Sequence, residues 1–181
     1  NRMKIVVLDE ADRMFDIGFM PQIKQILSLV PTDRQTLMFS ATMPRAIAEI
    51  ASRYMKIPLR IEVAPAGTSS KNVEQELFIV NKDAKTQLLD KILDDSNGSV
   101  LVFSRTKHGA KRIAANVRGM GHTAAEIHSN RSLGQRKEAL SGFKTGKYRV
   151  LVATDIASRG IDVTGISLVI NFDLPDNSED Y

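Results

Sequence analysis

Three carboxylates stand within four positions near the start of the chain: Asp9, Glu10 and Asp12. They follow Ile5, Val6, Val7 and Leu8, an apolar run with no polar alternation. Such a run reads as a strand buried on both faces, as in parallel sheets. Open α/β sheets bind ligands just beyond the carboxyl ends of their strands, so this is where chemistry belongs. An acidic residue ending such a strand is the arrangement that holds the magnesium of a bound nucleotide. A neighbouring carboxylate can then position or deprotonate an attacking water. The competing reading is a solvated acidic turn that opens a helix, with Asp9 as its cap. Four residues alone do not separate the two.

Polar groups recur after further apolar runs, at Ser40-Ala41-Thr42, Ser104-Arg105-Thr106 and Thr154-Asp155. Any one of them can be a simple helix cap, and Arg105 with the basic residues after it can be a solvated face. Four such junctions on one chain point instead to ligand contacts, since helix N-termini offer free amides to phosphate. The stretch 152–163, VATDIASRGIDV, is denser still. Thr154 can donate to a phosphate from a strand end, and Gly160 permits close backbone approach. Arg159 and Asp162 offer both signs of charge to a shared interface, or pair with each other inside the fold.

The elements that must hold these groups alternate. Apolar spacing predicts helices over 19–30, after Pro44, over 83–93, over 106–117, and from Ser132, whose spacing to Gln135 is that of a capping box. Short strands are expected over 35–39, 59–63, 76–80, 100–103, 123–128, 149–153 and 168–172. Alternating β and α units of this length imply parallel sheets with helices on their faces. Residues 64–71, APAGTSSK, are small, polar and broken by proline and glycine, the best linker in the chain. The expected division is therefore 1–63, a linker at 64–73, and 74–181.

Composition is ordinary for a globular protein, with 43% hydrophobic and 25% charged residues in 181. No apolar run approaches the roughly 18 residues of a membrane span. Cysteine is absent, which excludes disulfides and thiolate-held metals and fits a reducing cytoplasm. The net charge of +4 permits a polyanionic partner without requiring one.

Taken together, these residues resemble the DEAD-box ATP-dependent RNA helicases of superfamily two. Asp9-Glu10-Ala11-Asp12 matches the motif that names the family, and Ser40-Ala41-Thr42 its third motif. Leu101-Val102-Phe103-Ser104 resembles motif four, and Thr154-Asp155 through Arg159-Gly160-Ile161-Asp162 resembles motif five. The resemblance implies an α/β fold of two RecA-like lobes with parallel sheets, closing on ATP and single-stranded RNA. By that analogy Asp9 holds Mg²⁺ through water and Glu10 acts as general base or water-positioner. Asp12, Ser40, Thr42 and Arg159 couple the lobes, while Gly160 and Asp162 lie against the nucleotide. Arg105, Arg136 and Thr154 hold the RNA backbone without reading its sequence. The chain departs from the pattern at Leu133, three residues before Arg136, where many members carry glutamine. It departs again at Ser129, which follows His128 where glycine is usual.

No G-x-x-x-x-G-K-[ST] loop occurs in these residues. The resemblance therefore casts the chain as a fragment running from motif two to just before the arginine-rich sixth motif, with the first lobe incomplete. Without the phosphate loop and an arginine finger, which alone contributes about 10³–10⁵ in rate, little hydrolysis is expected of the bare chain. The alternative is a catalytically silent RNA-binding module. A first lobe of this size is near the limit for an independent core, and its open edge is expected to expose apolar surface.

Overall fold

The computed structural model describes residues 3–16, 18–62, 73–154 and 163–174. The chain divides into two compact units, Asn1–Val73 and Glu74–Tyr181.

In the first unit, strands β1 (Ile5–Leu8) and β2 (Gln35–Met38) pair in parallel, Ile5 opposite Gln35 and Leu8 opposite Met38. Helices α1 (Ala11–Asp16), α2 (Met20–Leu29) and α3 (Arg45–Tyr54) accompany them. Ile23, Leu27 and Ile50 form the core, with Val6, Leu8, Met14, Met38 and Tyr54 packed against it. Arg34 ties the end of α2 to that of α3, donating to Pro31 O at 2.7 Å and Tyr54 O at 3.4 Å.

The expectation of strands buried on both faces is corrected here. Ile5, Val7 and Phe39 are 57%, 53% and 55% exposed, while the alternate residues Val6 and Leu8 are half-buried. The physical reason is that the helical core forms on one side of this pair, and nothing among the described residues covers the other. The strands expected at 59–63 and 76–80 also differ. Residues 59–62 and 76–80 belong to no element: Leu59 and Ile61 alternate with Arg60 and Glu62 yet stand exposed, and the apolar run Leu77, Phe78, Ile79 and Val80 is exposed throughout. A strand exists only when its N–H and C=O groups find a ladder, and these find none among the described residues.

The second unit contains a four-stranded parallel sheet in the order β4-β5-β3-β6. Its strands are β3 (Val100–Ser104), β4 (Ala124–Ile127), β5 (Val150–Thr154) and β6 (Leu168–Asn171). Helix α4 (Lys85–Asp95) enters through a single 3₁₀ turn, Lys82–Ala84; α5 (Lys107–Gly119) and α6 (Leu133–Lys144) follow. Strand side chains alternate between faces. Val100, Val102, Val150 and Val152 pack with Leu89 and Leu93 of α4 and Ile113 and Val117 of α5. Leu101, Leu151 and Ala153 pack with Ala139 and Phe143 of α6 on the other face. Strands β3 and β5 are buried on both sides, as their unbroken apolar runs predict, whereas β6 is only partly covered and its Val169 stands 51% exposed.

Local chemistry sets the helix starts. Thr106 caps α5 by accepting from Gly109 N at 2.9 Å. Ser132 and Gln135 close a reciprocal capping box on α6, at 3.3 and 3.0 Å. Arg149 ends α4, donating to Leu93 O and Ser96 O, both at 2.6 Å. The edge strand β4 turns the buried Glu126 inward, where Arg131 meets it at 2.7 Å and Arg118 at 3.6 Å. An inward charge of this kind guards an edge against pairing with another chain.

Candidate nucleotide and nucleic-acid sites

Pairing of β1 and β2 continues past the strands into the acidic turn. Phe39 N donates to Leu8 O at 2.8 Å, and Ala11 N to Phe39 O at 3.1 Å. Between them the chain must swing from strand to helix within two residues, and Glu10 takes the left-handed conformation to do so, with φ 48°. For a residue with a Cβ this costs on the order of 1–3 kcal/mol and is characteristic of sites whose surroundings hold the strain. The turn leaves both Asp9 and Glu10 exposed. Asp9 Oδ1 accepts from Glu10 N at 2.9 Å, and Glu10 Oε2 from Arg13 Nη1 at 3.0 Å.

Asp12 is placed differently. It is 8% exposed, and its carboxylate is wrapped by donors: Arg13 N at 2.9 Å on Oδ1, Thr42 N and Thr42 Oγ1 both at 3.0 Å on Oδ2. Its own N–H donates to Ser40 Oγ at 3.1 Å. Burial alone would raise the carboxyl's affinity for a proton. The bonds from Thr42, Arg13 and Ser40 outweigh it and hold the group below the usual carboxylate range. Asp12 is therefore an anion at neutral pH whose oxygens are already committed. Of the three acids, Asp9 and Glu10 face solvent while Asp12 knots the end of β1 to the end of β2.

In the second unit the corresponding edge carries Ser104, Arg105 and Thr154. Register pairs Ser104 with Thr154, so the ends of β3 and β5 stand side by side. Arg105 is exposed and Thr154 half-buried; Arg136 is exposed on the first turns of α6. Arg159, Gly160 and Asp162, with the linker residues 64–72, lie outside the described residues. Sequence reading passed over Asp173 and Lys85. Asp173 Oδ2 accepts from Ser104 Oγ at 3.2 Å and Arg105 N at 3.4 Å, and Lys85 Nζ lies 3.4 Å from Oδ1. Only the parallel pairing of β6 with β3 brings these groups together across 69 positions of sequence. No local pattern announces that.

His128, at the end of β4, is 4% exposed, and burial lowers its proton affinity against the pull of Glu126. It is a packed, neutral strand-end residue. Asp90, Asp94 and His122 also converge closely enough to suit a cation. Arg149 Nη1, however, lies 2.9 Å from His122 Nδ1. A guanidinium only donates, so Nδ1 accepts and Nε2 carries the proton, facing Asp94 Oδ1 at 3.5 Å. That nitrogen has no lone pair for a metal.

A family model described as "Helicase conserved C-terminal domain" matches residues 84–181. A second, described as "DEAD/DEAH box helicase", matches residues 1–50. The chain belongs to the DEAD-box helicase family.

This DEAD-box chain is 39% identical to the "ATP-dependent RNA helicase DbpA" of Bacillus subtilis, covering 100% of itself and 38% of that protein. It is 42% identical to the "ATP-dependent RNA helicase dbp2" of Sclerotinia sclerotiorum, covering 99% of itself and 32% of the relative. It thus spans about a third of the length of these relatives. Among solved structures it resembles "S. cerevisiae Dbp5 bound to RNA and ADP BeF3", with a TM-score of 0.83 and 28% identity over 98% of this chain and 46% of that one. The α/β fold with parallel sheets is that of the RecA-like DEAD-box domains. No helix among the described residues is long and apolar enough to cross a membrane.

The donor set of the acidic turn fits a hydrated magnesium ion. Mg²⁺ prefers carboxylate oxygens and keeps several of its waters. Asp9 and Glu10 offer exposed carboxylates beyond a parallel strand, and Asp12, buried and bound by Thr42 and Arg13, is not a competitor for the ion.

Proposed function

We propose that this chain is part of an ATP-dependent RNA helicase, contributing the acidic and phosphodiester-binding edges of two RecA-like lobes, residues 1–63 and 74–181, joined by a linker at 64–73. The observation that carries the reading is the division of labour in the acidic turn: Asp12 buried and tied to Thr42, Asp9 and Glu10 left facing solvent.

When bound with ATP, Mg²⁺ would supply charge neutralisation along the triphosphate. Asp9 would hold the ion through water, and Glu10 would orient the attacking water and take its proton. The strained backbone at Glu10 supports that role, because it aims the side chain outward without a flexible glycine. Asp12, Ser40 and Thr42 would couple the acidic turn to the second lobe, together with Arg159. Gly160 and Asp162 would receive the nucleotide.

Arg105, Arg136 and Thr154 would hold single-stranded RNA by its backbone. The exposed guanidiniums suit phosphate, and contacts of that kind are sequence-tolerant and salt-sensitive. The absence of cysteine suits work in a reducing cytoplasm. The experiment is RNA-stimulated ATP hydrolysis by the native gene product, with Glu10→Gln beside it. Turnover that needs RNA and falls in the variant supports the reading; turnover indifferent to RNA removes it.

A further inference from the structure

Ser104 is a polar residue with no exposed surface at all, at the open edge of a sheet where ligands are received. Its surroundings explain the burial. On one side lies the first turn of α5, so close that a Cβ on Gly109 would overlap Ser104 Oγ. On the other lies Asp173, two residues past β6. The β3–β6 ladder runs on through Phe172 N, which donates to Phe103 O at 3.0 Å. That extension delivers the Asp173 carboxylate to the turn carrying Arg105.

The turn is held at three points. Ser104 Oγ and Arg105 N both donate to Asp173 Oδ2, at 3.2 and 3.4 Å. Thr106 Oγ1 accepts from Gly109 N at 2.9 Å. The aspartate is held in turn by Lys85. Its ammonium donates to Phe172 O at 2.8 Å, stands 3.4 Å from Asp173 Oδ1 and lies 5.3 Å from the centre of the Phe172 ring. Lys85 opens α4, so the anchor reaches Arg105 from a different helix and a different strand. A turn of three residues fixed from both sides sets the direction in which the Arg105 side chain leaves the backbone. The entropy of ordering that backbone is then lost on folding rather than on binding.

We propose that Asp173 is a positioning residue for Arg105, with Lys85 fixing Asp173, so that the three act as one unit in gripping an RNA phosphodiester. The proposal rests on the reading of Arg105 as a backbone contact.

Asparagine at 173 keeps a carbonyl oxygen for both donors, whereas alanine removes that acceptor and leaves the buried Ser104 hydroxyl only the long contact to Thr106 O, at 3.5 Å. A fluorescent single-stranded oligouridylate titrated into the chain reads the difference. R105A is expected to weaken binding roughly tenfold, about one charge-assisted hydrogen bond. D173A is expected to lose most of the same factor, and D173N, which keeps the acceptor but not the ion pair with Lys85, to lose no more than K85M. R105A/D173A should be no weaker than R105A alone, because residues acting as one unit are not additive. K85M, at a side chain 34% exposed, gives a milder loss that vanishes in the R105A background, which keeps the test open if D173A fails to fold. D173A or K85M binding like the parent while R105A is impaired would overturn the proposal, as would losses that multiply in the double variants. R105A binding like the parent would remove the reading beneath it.

Discussion

Thr42 gives two hydrogen bonds to one oxygen of Asp12, from its backbone N–H and from its hydroxyl, each at 3.0 Å. Thirty positions separate the two residues, and the contact turns the ends of β1 and β2 into one rigid edge. Because the bonds favour the charged carboxylate, Asp12 binds a proton less readily folded than unfolded. Its contribution to stability is present above the ordinary carboxylate value, about pH 4, and is lost as pH falls below that toward the depressed value. Asp12→Asn should cost about 1–3 kcal/mol in urea unfolding at neutral pH, the scale for a buried charged acceptor left with mismatched partners. The deficit should shrink on acidification through that window. An unchanged deficit at low pH would contradict the assignment.

Glu10 supplies a backbone prediction that is independent of chemistry. Glu10→Ala and Glu10→Gly both remove the carboxylate and its contact with Arg13. Only alanine retains the cost of a Cβ at φ 48°. The glycine variant should therefore be the more stable of the two by about 1 kcal/mol. Equal melting temperatures would mean that this turn relaxes when its side chain is cut.

His128 binds a proton less readily in the fold than free in solution, chiefly through burial, with Arg131 and His108 adding to the effect and Glu126 opposing it. Among the described residues neither ring nitrogen has a hydrogen-bond partner, the Glu126 carboxylate standing 3.7 Å from Nε2. The sign for a histidine lowered in this way is loss of stability as pH falls through its ordinary value, about 6.5, since the unfolded state then binds the extra proton. Urea midpoints should drop between about pH 7 and about pH 5, and His128→Gln should flatten that slope. A slope unchanged in the variant would place the titrating group elsewhere.

Backbone contacts carry a salt signature. Each phosphate neutralised on a single strand contributes about −0.7 to the slope of log K against log salt. Arg105→Ala and Arg136→Ala should each make the slope shallower by about that amount and weaken all sequences alike. Loss of affinity with an unchanged slope would argue that these arginines act through shape rather than charge.

What could be read in the sequence was whatever is decided within a few residues. The Ser132–Gln135 capping box and the helix it starts are local, and the structure has both. The strands expected at 100–103 and 149–153 are present as Val100–Ser104 and Val150–Thr154, buried on both faces because helices lie on each side. The same pattern at Ile5–Leu8 misled. Burial of a second face depends on what covers it, and an apolar run records the need without the partner. Residues 76–80 carry an apolar run that finds no ladder among the described residues, for the same reason. Asp173 was invisible because it sits just past a strand end, and its meaning comes from a neighbour supplied by sheet order.

RNA-stimulated ATP turnover by the native gene product, compared with its Glu10→Gln form, tests the central claim most directly. Removing a general base or water-positioning carboxylate should lower turnover by about 10²–10⁴-fold while leaving oligouridylate binding within about twofold. A variant that hydrolyses ATP at the parent's rate would mean that the exposed acid beyond β1 does not serve the reaction.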